Sequence, residues 1–433
     1  MKENPFWWEG TIRQRFQKFD PKKLGYADVV IIGGGLSGLS AAYHLKQSEE
    51  FRDKTIVVLE AELIGSGATG KSGGFLAPSV EADVIDVIHE FGKRGGEIFW
   101  NLKTDLAKKL VELIKRHGIK CDLKNVGSIY LQTDDSEEWR RYFRKEAALR
   151  KSFGYETELL TRDQLHRFLG PVDSFYGGIY NPNEYCINPM LFLIGFAAVC
   201  NNLGVSIFEK NKVLGVKYEN GKNIVRTEHG DITANRVIYA CWTDILKFVK
   251  LKEAEKSYTF LLATPELSNQ ILEEIGVREG LMLWDAVPPP QFTYFRILRK
   301  RLLFGGFTTF KEEKMEKVYS DLKERMLSYF PPLKKLKNPV EYFWHGDFLT
   351  MGFDERPGIG YIENTDEKQI FIFGPGLLFA FLCGIMARDW LVRKLSRETE
   401  MLNSIDKRYF SKRSIASKFP RLTKALIDWT IFR

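Results

Sequence analysis

The sequence predicts an α/β fold of two lobes, one on a parallel doubly wound sheet and the other on an antiparallel sheet. Three stretches carry that reading. "VVIIGGGLSGLSAA", residues 29–42, is a buried strand, a glycine turn and the start of a helix. "TIVVLE" ends a second strand at Glu60, and the glycine-rich "GSGATGKSGG" of residues 65–74 follows at once. Residues 255–343 are rich in short strands and turns, after which "QIFIFGPGLLFAFLCGIMARDWL" returns to a strand and a helix. A chain of 433 residues is too long for one ordinary core, so two interleaved lobes are expected.

Taken in order, residues 1–25 ("NPFWWEG", "RQRFQKFDPKK") read as a polar and aromatic leader lying over the body. From about 83 to 170 the pattern is helical. "NLKTDLAKKLVELIKRHG" puts Leu102, Leu106, Leu110 and Leu113 on one face, and Gly118 stops the helix just past Lys115, Arg116 and His117. "EYCINPMLFLIGFAAVCNNLGVSIFEKNKVLGV" reads as a helix and a strand pair, and "NIVRTEHGDITANRVIYAC" as a hairpin leading into a buried strand. "KVYSDLKERMLSYF" is one more helix, closed by Pro331-Pro332. Residues 370–387 carry no charge, which on length alone is the shortest span that could cross a membrane. Gly374-Pro375-Gly376 breaks that run, so a strand, a turn and a buried helix account for it better.

Composition bounds the function. Apolar residues make up 44% and charged residues 28%, a globular balance. The net charge of +8 lies mostly in residues 401–433, which hold eight Lys/Arg against two Asp, so the body is nearly neutral and no nucleic-acid partner is implied. "MKENPFWWEGTIRQRF" has no apolar run of signal-peptide length. Five scattered cysteines with no Cys-x-x-Cys pair argue against a disulfide framework or a metal site and for a reducing, cytoplasmic setting.

Gly33-x-Gly35-x-x-Gly38 then acquires a chemical meaning from its context. The first glycine permits the tight turn, the second lets the backbone approach a pyrophosphate, and the third lets helix and strand pack. The helix that opens at Leu36 and Ser37 would offer free N–H groups and a positive dipole end to phosphate. Glu60 stands 22 residues after Gly38, where a carboxylate accepts ribose hydroxyls and disfavours a 2′-phosphate. A structural glycine turn with an exposed strand-end glutamate is the plainer alternative. NAD and FAD are separated by the second glycine loop. A nicotinamide domain has no need of it, whereas the larger FAD requires more backbone N–H groups along its length. A flexible surface loop is the other reading of the same glycines.

At these residues the chain resembles the D-amino-acid oxidase superfamily of FAD-dependent oxidoreductases, in particular its glycine oxidase, sarcosine oxidase and gamma-glutamylputrescine oxidase branch. "IVVLEAELIGSGATGKSGG", "YCINPMLFLIGFAAVCNNLGVSIFEKNKVLGV", "RLLFGGF" (301–307) and "WHGDFLTMGFDERPGIG" (344–360) are similar to that family's markers, in its order. The resemblance spans roughly residues 5–395. It implies a Rossmann-type, glutathione-reductase-like FAD-binding lobe with an antiparallel α+β substrate lobe. It implies that Gly33, Gly35 and Gly38 take the pyrophosphate and Glu60, with Ala61, the adenosine ribose. Ser66, Gly67, Ala68, Thr69, Gly73 and Gly74 would line the flavin, and Val213 would meet the adenine. Gly374, Gly376 and Leu377 would open the last helix toward the flavin carbonyl end, where its dipole stabilises negative charge.

The chain departs from the family at three places. The relatives' Gly-x-Ser-Gly-His-Gly turn reads "FIFGPGLLF", with Pro375 in place of the histidine. Leu303 stands where sarcosine oxidases carry an oxygen-activating lysine, so oxygen and quinone stay open as acceptors. Leu349 falls near the arginine that binds the substrate carboxylate in glycine oxidase, which favours a carboxylate-free amine over an amino acid. "GATGKSGG" has no histidine and Cys383 sits deep in the last helix, so the FAD is expected to be noncovalent.

The implied reaction is oxidation of the CH–NH bond of an amine or amino acid, giving an imine that hydrolyses. The alternatives are a membrane-associated dehydrogenase feeding quinone, or an FAD-binding scaffold with impaired catalysis. His345 is the first candidate for a site group, its alternative being a histidine satisfied by a backbone carbonyl. Trp344 and Tyr294 could form an aromatic wall or be core packing. Asp354 and Arg356 would hold the turn before Pro357, and Tyr185 and Arg296 are further candidates. The expected lobes are 26–88, 177–250 and 344–398 for FAD and 89–176 and 251–343 for the substrate. Residues 399–433 form a basic tail in which Leu422, Leu426 and Trp429 fall at helical spacing. That tail fits either a terminal helix docked on the body or peripheral contact with the inner face of the membrane.

Overall fold

Strands buried on both faces read as continuous apolar runs, and "VVII" and "IVVL" form the centre of the first sheet. Tyr26–Ile32 pairs in parallel with Gly230–Tyr239 on one side and with Ile56–Leu59 on the other. Ile56–Leu59 continues in parallel to Val205–Phe208, and the end of Gly230–Tyr239 to Gln369–Phe373. The antiparallel strands Val213–Glu219, Lys222–Thr227 and Gly358–Tyr361 complete eight. The structure is a computed structural model. It describes residues 2–405 except 10, 12–15, 17–18, 21, 81–82, 171, 250–253, 288–290, 311–313 and 352–356.

Alternation along these strands sorts the core. Val29, Ile31, Ile56, Val58 and Ile372 face the helices Leu36–Lys46, Pro189–Asn202 and Gly376–Val392. Val30, Ile32, Val57, Leu59 and Tyr239 face the opposite layer. The helices Leu36–Lys46 and Gly376–Val392 touch closely: a Cβ on Gly384 would come within 2.3 Å of Ser40, whose hydroxyl donates to the Phe381 carbonyl at 2.7 Å. The uncharged run 370–387 is thus a strand and a buried helix. Among the described residues no helix is long and apolar enough to cross a membrane.

The second sheet runs Tyr342–Met351, Ala254–Ala263, Arg301–Thr309, Thr293–Leu298, Met282–Asp285, Ser128–Gln132, Gly177–Asn181, Glu158–Thr161. Its neighbours are antiparallel except Met282–Asp285 against Ser128–Gln132. One face carries Phe260, Leu262, Phe295 and Phe304 and is covered by the helix Met315–Tyr329. The other turns toward the first sheet. A small sheet of Phe75–Leu76, Tyr185–Cys186 and Lys124–Asn125 bridges the two.

The pairing moves three expected lobe limits. Gly177–Asn181 and the strand Tyr342–Met351 from residue 344 onward, expected in the FAD lobe, belong to the second sheet. The helix Val84–Arg116, expected mostly in the substrate lobe, buries Leu102, Leu106, Leu110 and Leu113 in the core of the first lobe. Its amphipathic stripe was legible, but the partner for that stripe was not. The described part of the leader does lie on the body, where Trp7 is fully buried. Beyond the helix Arg397–Ile405, the tail lies outside the described residues, as do Asp354 and Arg356.

Candidate functional site

The parallel strands end on one cavity of about 2000 Å³, lined by Ile32, Leu59 and Phe373 at their ends and by Ala240, just past Tyr239. That exceeds the roughly 300–1,000 Å³ of an ordinary single-ligand pocket, so there is room for a large ligand and a smaller one together. The cavity lies where ligands of open α/β sheets bind, beyond the carboxyl ends of the strands.

The glycine turn forms its floor. Gly33 has φ +109° and a Cβ there would lie 2.5 Å from the Ala240 carbonyl oxygen, so only glycine fits. Gly35, Leu36 and Ser37 line the cavity, and the helix from Leu36 starts with no side-chain cap on its N–H groups. Gly38 does not line the cavity. A Cβ on it would come within 2.0 Å of the Gly33 carbonyl, so its role is close packing of turn and helix rather than contact with a phosphate. Glu60 accepts from Gly34 N–H at 2.7 Å and from Glu62 N–H at 3.0 Å. Burial raises its carboxyl above the usual range, against the pull of these two bonds. Ala61 and Val213 line the same end.

Ser66, Gly67, Ala68, Thr69, Gly73 and Gly74 line the next stretch. The short helix Ala68–Lys71 and the long helix Gly376–Val392 also begin without side-chain caps, so three helix N-termini turn uncapped N–H groups toward this one cavity. Pro375 serves as N-cap of the last helix at φ −66°, and Gly376 needs φ +61°. Gly374, Gly376 and Leu377 all line the cavity. The loop is strapped from behind. Trp7 donates its indole N–H to the Gly70 carbonyl at 2.8 Å, Trp344 to the Lys71 carbonyl at 2.9 Å, and the two rings meet edge to face at 5.2 Å.

Opposite the loop stands the cavity face of the second sheet. Tyr294 is there, between two glycines: a Cβ on Gly73 would meet its ring at 3.1 Å and one on Gly305 at 2.6 Å. Burial pushes its hydroxyl well above the usual phenol range, so the group stays neutral. Thr259, Leu261, Trp284, Phe292 and Phe348 continue this wall.

The other two aromatic candidates fall elsewhere. His345 pairs with Phe260 in the strand register and packs its ring against Tyr258 and Phe260, on the helix-covered side. Its Nδ1 lies 3.5 Å from Asp347, and the ring does not line the cavity. Trp344 is on the cavity side but buried behind the loop it straps. Arg296 is fully buried and donates to the Ile187 carbonyl at 2.9 Å, away from the lining. Tyr185 packs on the first core. Leu303 is buried in the cluster that holds Trp7 and Trp344, and Leu349 lines the cavity.

Sequence reasoning missed the far end of the cavity. Asp83 accepts from Tyr130 at 3.0 Å and Tyr142 at 2.5 Å, and Arg150 lies at 3.4 Å. Arg150 also pairs with Glu146 at 2.8 Å, whose two oxygens take the N–H groups of Val84 and Ile85 at 2.9 and 3.0 Å. Burial, then the Glu146 charge, pushes the Asp83 carboxyl up to about 7. Only the i,i+4 spacing of Glu146 and Arg150 could have signalled this network.

These residues fit a dinucleotide. A carboxylate is fixed by backbone N–H groups at one end, close-approach glycines and uncapped helix N-termini follow, and a second glycine loop faces an aromatic wall. Known proteins point the same way. Residues 28–390 match the family described as DAO, FAD dependent oxidoreductase. "Probable oxidoreductase OrdL" of Haemophilus influenzae is 28% identical over 361 residues, covering 81% of this chain and 79% of that protein. "Gamma-glutamylputrescine oxidoreductase" of Escherichia coli is 26% identical over 376 residues, covering 84% and 83%. The crystal structure of glycine oxidase from Geobacillus kaustophilus superposes with a TM-score of 0.69 at 18% identity, over 86% of this chain and 96% of that one. With the cavity, the fold and a match over most of its length in agreement, the chain belongs to the DAO family of FAD-dependent oxidoreductases.

Proposed function

We propose that this FAD-dependent oxidoreductase acts on an amine without a carboxylate next to the reacting carbon, through a noncovalently held FAD. The chemistry that FAD would supply when bound is two-electron acceptance, as hydride from the carbon next to nitrogen. The chain's residues do the rest. The N–H groups at Leu36 and Ser37, with Gly33 and Gly35, would hold the pyrophosphate, Glu60 the ribose, and Val213 the adenine. The loop from Ser66 to Gly74 would carry the flavin, and the N-terminus of the helix at Gly376 would favour negative charge on the ring beside it.

The observation that carries the reading is the aromatic wall of Tyr294, Phe292 and Trp284 facing Gly73 across the cavity. Such a wall excludes water and favours the neutral amine, the form able to give up hydride. The neutral Tyr294 hydroxyl orients the nitrogen by hydrogen bonding. Loss of hydride from the neutral amine leaves an iminium ion, which departs and is hydrolysed by water. Leu349, an apolar residue in the lining, supports an amine over an amino acid. Five free thiols support a reducing, cytoplasmic setting.

The test is the visible spectrum of the purified protein before and after anaerobic addition of amines and amino acids. A yellow protein bleached by amines is expected. Readmitting oxygen, or adding a soluble quinone, then identifies the acceptor. A yellow protein that nothing bleaches overturns the amine chemistry. A colourless protein that takes up no added FAD overturns the assigned cofactor contacts.

A further inference from the structure

The cavity continues past the point where a flavin and a small amine would sit. In the strand register Tyr294 lies opposite Trp284, and Trp284 opposite Tyr130. Three aromatic side chains therefore follow one another across neighbouring strands, on the cavity face. The rings of Trp284 and Tyr130 are near parallel, at 17° and 5.8 Å. Strands lie roughly 4.8 Å apart, so Tyr130 stands roughly 10 Å from Tyr294. Trp139 and Tyr142, from the helix Glu137–Ser152, close the far end, edge to face at 5.6 Å.

The charges around this chamber are lopsided. Asp83, Asp86 and Glu90, at the start of the helix Val84–Arg116, open onto it. Asp285 also borders it, but its carboxylate is engaged by Thr293 and Tyr329, with Arg325 at 3.9 Å. Of the cations, Arg150 is wholly buried behind Asp83 and engaged by Glu146. The Lys103 ammonium donates to the Val80 carbonyl at 2.7 Å. Asp83 is itself engaged by Tyr130, Tyr142 and Arg150, and burial holds both it and Asp86 above the usual carboxyl range; with Asp86 and Glu90 beside it, carboxyls still outnumber the Lys103 ammonium at this end of the cavity. Ring faces and carboxylates together recognise one chemical class, an ammonium group.

We propose that this chamber binds a second ammonium group of the substrate. The substrate is then an extended diamine or polyamine, with one nitrogen at Tyr294 and another among Trp139, Tyr142 and Asp86. This rests on the amine-oxidising reading above and deepens it.

The experiment compares n-alkylamines of about four to about nine carbons with the α,ω-diamines of the same length, a range that brackets the roughly 10 Å span. Anaerobic flavin reduction is followed at low amine concentration. The longer diamines are expected to react at least about tenfold faster than their monoamines, the scale of one desolvated cation–π and carboxylate contact. Asp86→Asn and Trp139→Leu should each shrink that ratio toward one. Equal rates at every length, or a preference for amino acids, would overturn the proposal while leaving amine oxidation standing. If no amine bleaches the flavin, the proposed reaction fails, and the same panel is titrated against the flavin absorbance of the oxidised protein. A saturable shift with diamines alone then supports the chamber, and its absence overturns it.

Discussion

Asp83→Asn tests the polar network at the far end of the cavity. In the native protein Asp83 and Glu146 share the Arg150 guanidinium, so the ionised cluster carries one uncompensated negative charge. Burial and the Glu146 charge push Asp83 from an ordinary 3.8 up to about 7. The folded protein thus holds this proton more tightly than the unfolded chain. Stability is lost as pH rises from the ordinary value through about 7, and the loss is complete above that window. Each tenfold difference in proton affinity between the folded and unfolded chain is worth about 1.4 kcal/mol, so the loss between about pH 5 and about pH 8 is on the order of 2–3 kcal/mol. For a chain of this length that is about 3 °C in Tm. Asparagine cannot titrate and leaves Glu146 and Arg150 a matched pair. Between those pH values the Tm of Asp83→Asn should therefore fall about 3 °C less than the native Tm, and exceed it at the upper end. Scanning calorimetry of the FAD-loaded proteins reads both. Parallel Tm curves would refute the argument.

Three further outcomes follow from the site. Gly376→Ala forces a side chain to φ +61°, about 1–2 kcal/mol of strain, and should weaken FAD binding about tenfold in a fluorescence titration. Gly305→Ala puts a Cβ 2.6 Å from the Tyr294 ring; the ring must move, and anaerobic flavin reduction should slow more than about tenfold with FAD content unchanged. His345→Ala should keep the reduction rate within about threefold, because its imidazole lies on the face of its strand away from the cavity and does not line it; a collapse of that rate would return His345 to the chemistry.

The parts of the site that were legible share one property, that their signals are local. Gly33, Gly35, Leu36 and Ser37 lie within five residues, and strand, turn and helix each constrain the next. The same holds for the loop from Ser66 to Gly74 and for Gly374 to Leu377. What could not be read from one segment was which partner it meets. Tyr294 and His345 look alike as aromatic candidates in strands. A strand turns alternate residues to opposite faces, and only the pairing with Ala254–Ala263 and the helix Met315–Tyr329 decides which face is covered. The lobe limits moved for the same reason, since Gly177–Asn181 and Tyr342–Met351 find their partners far away in the chain.

The cofactor, the fold class and the glycine turns that line the cavity were thus legible in the sequence alone, because these depend on backbone conformations that few residue types permit. Tertiary structure alone decided the wall opposite the glycine loop. It set Tyr294 between Gly73 and Gly305, bound Asp83 to Arg150 across 67 residues, and laid Trp284 and Tyr130 beside Tyr294, because contacts between distant strands leave no periodic trace in either one.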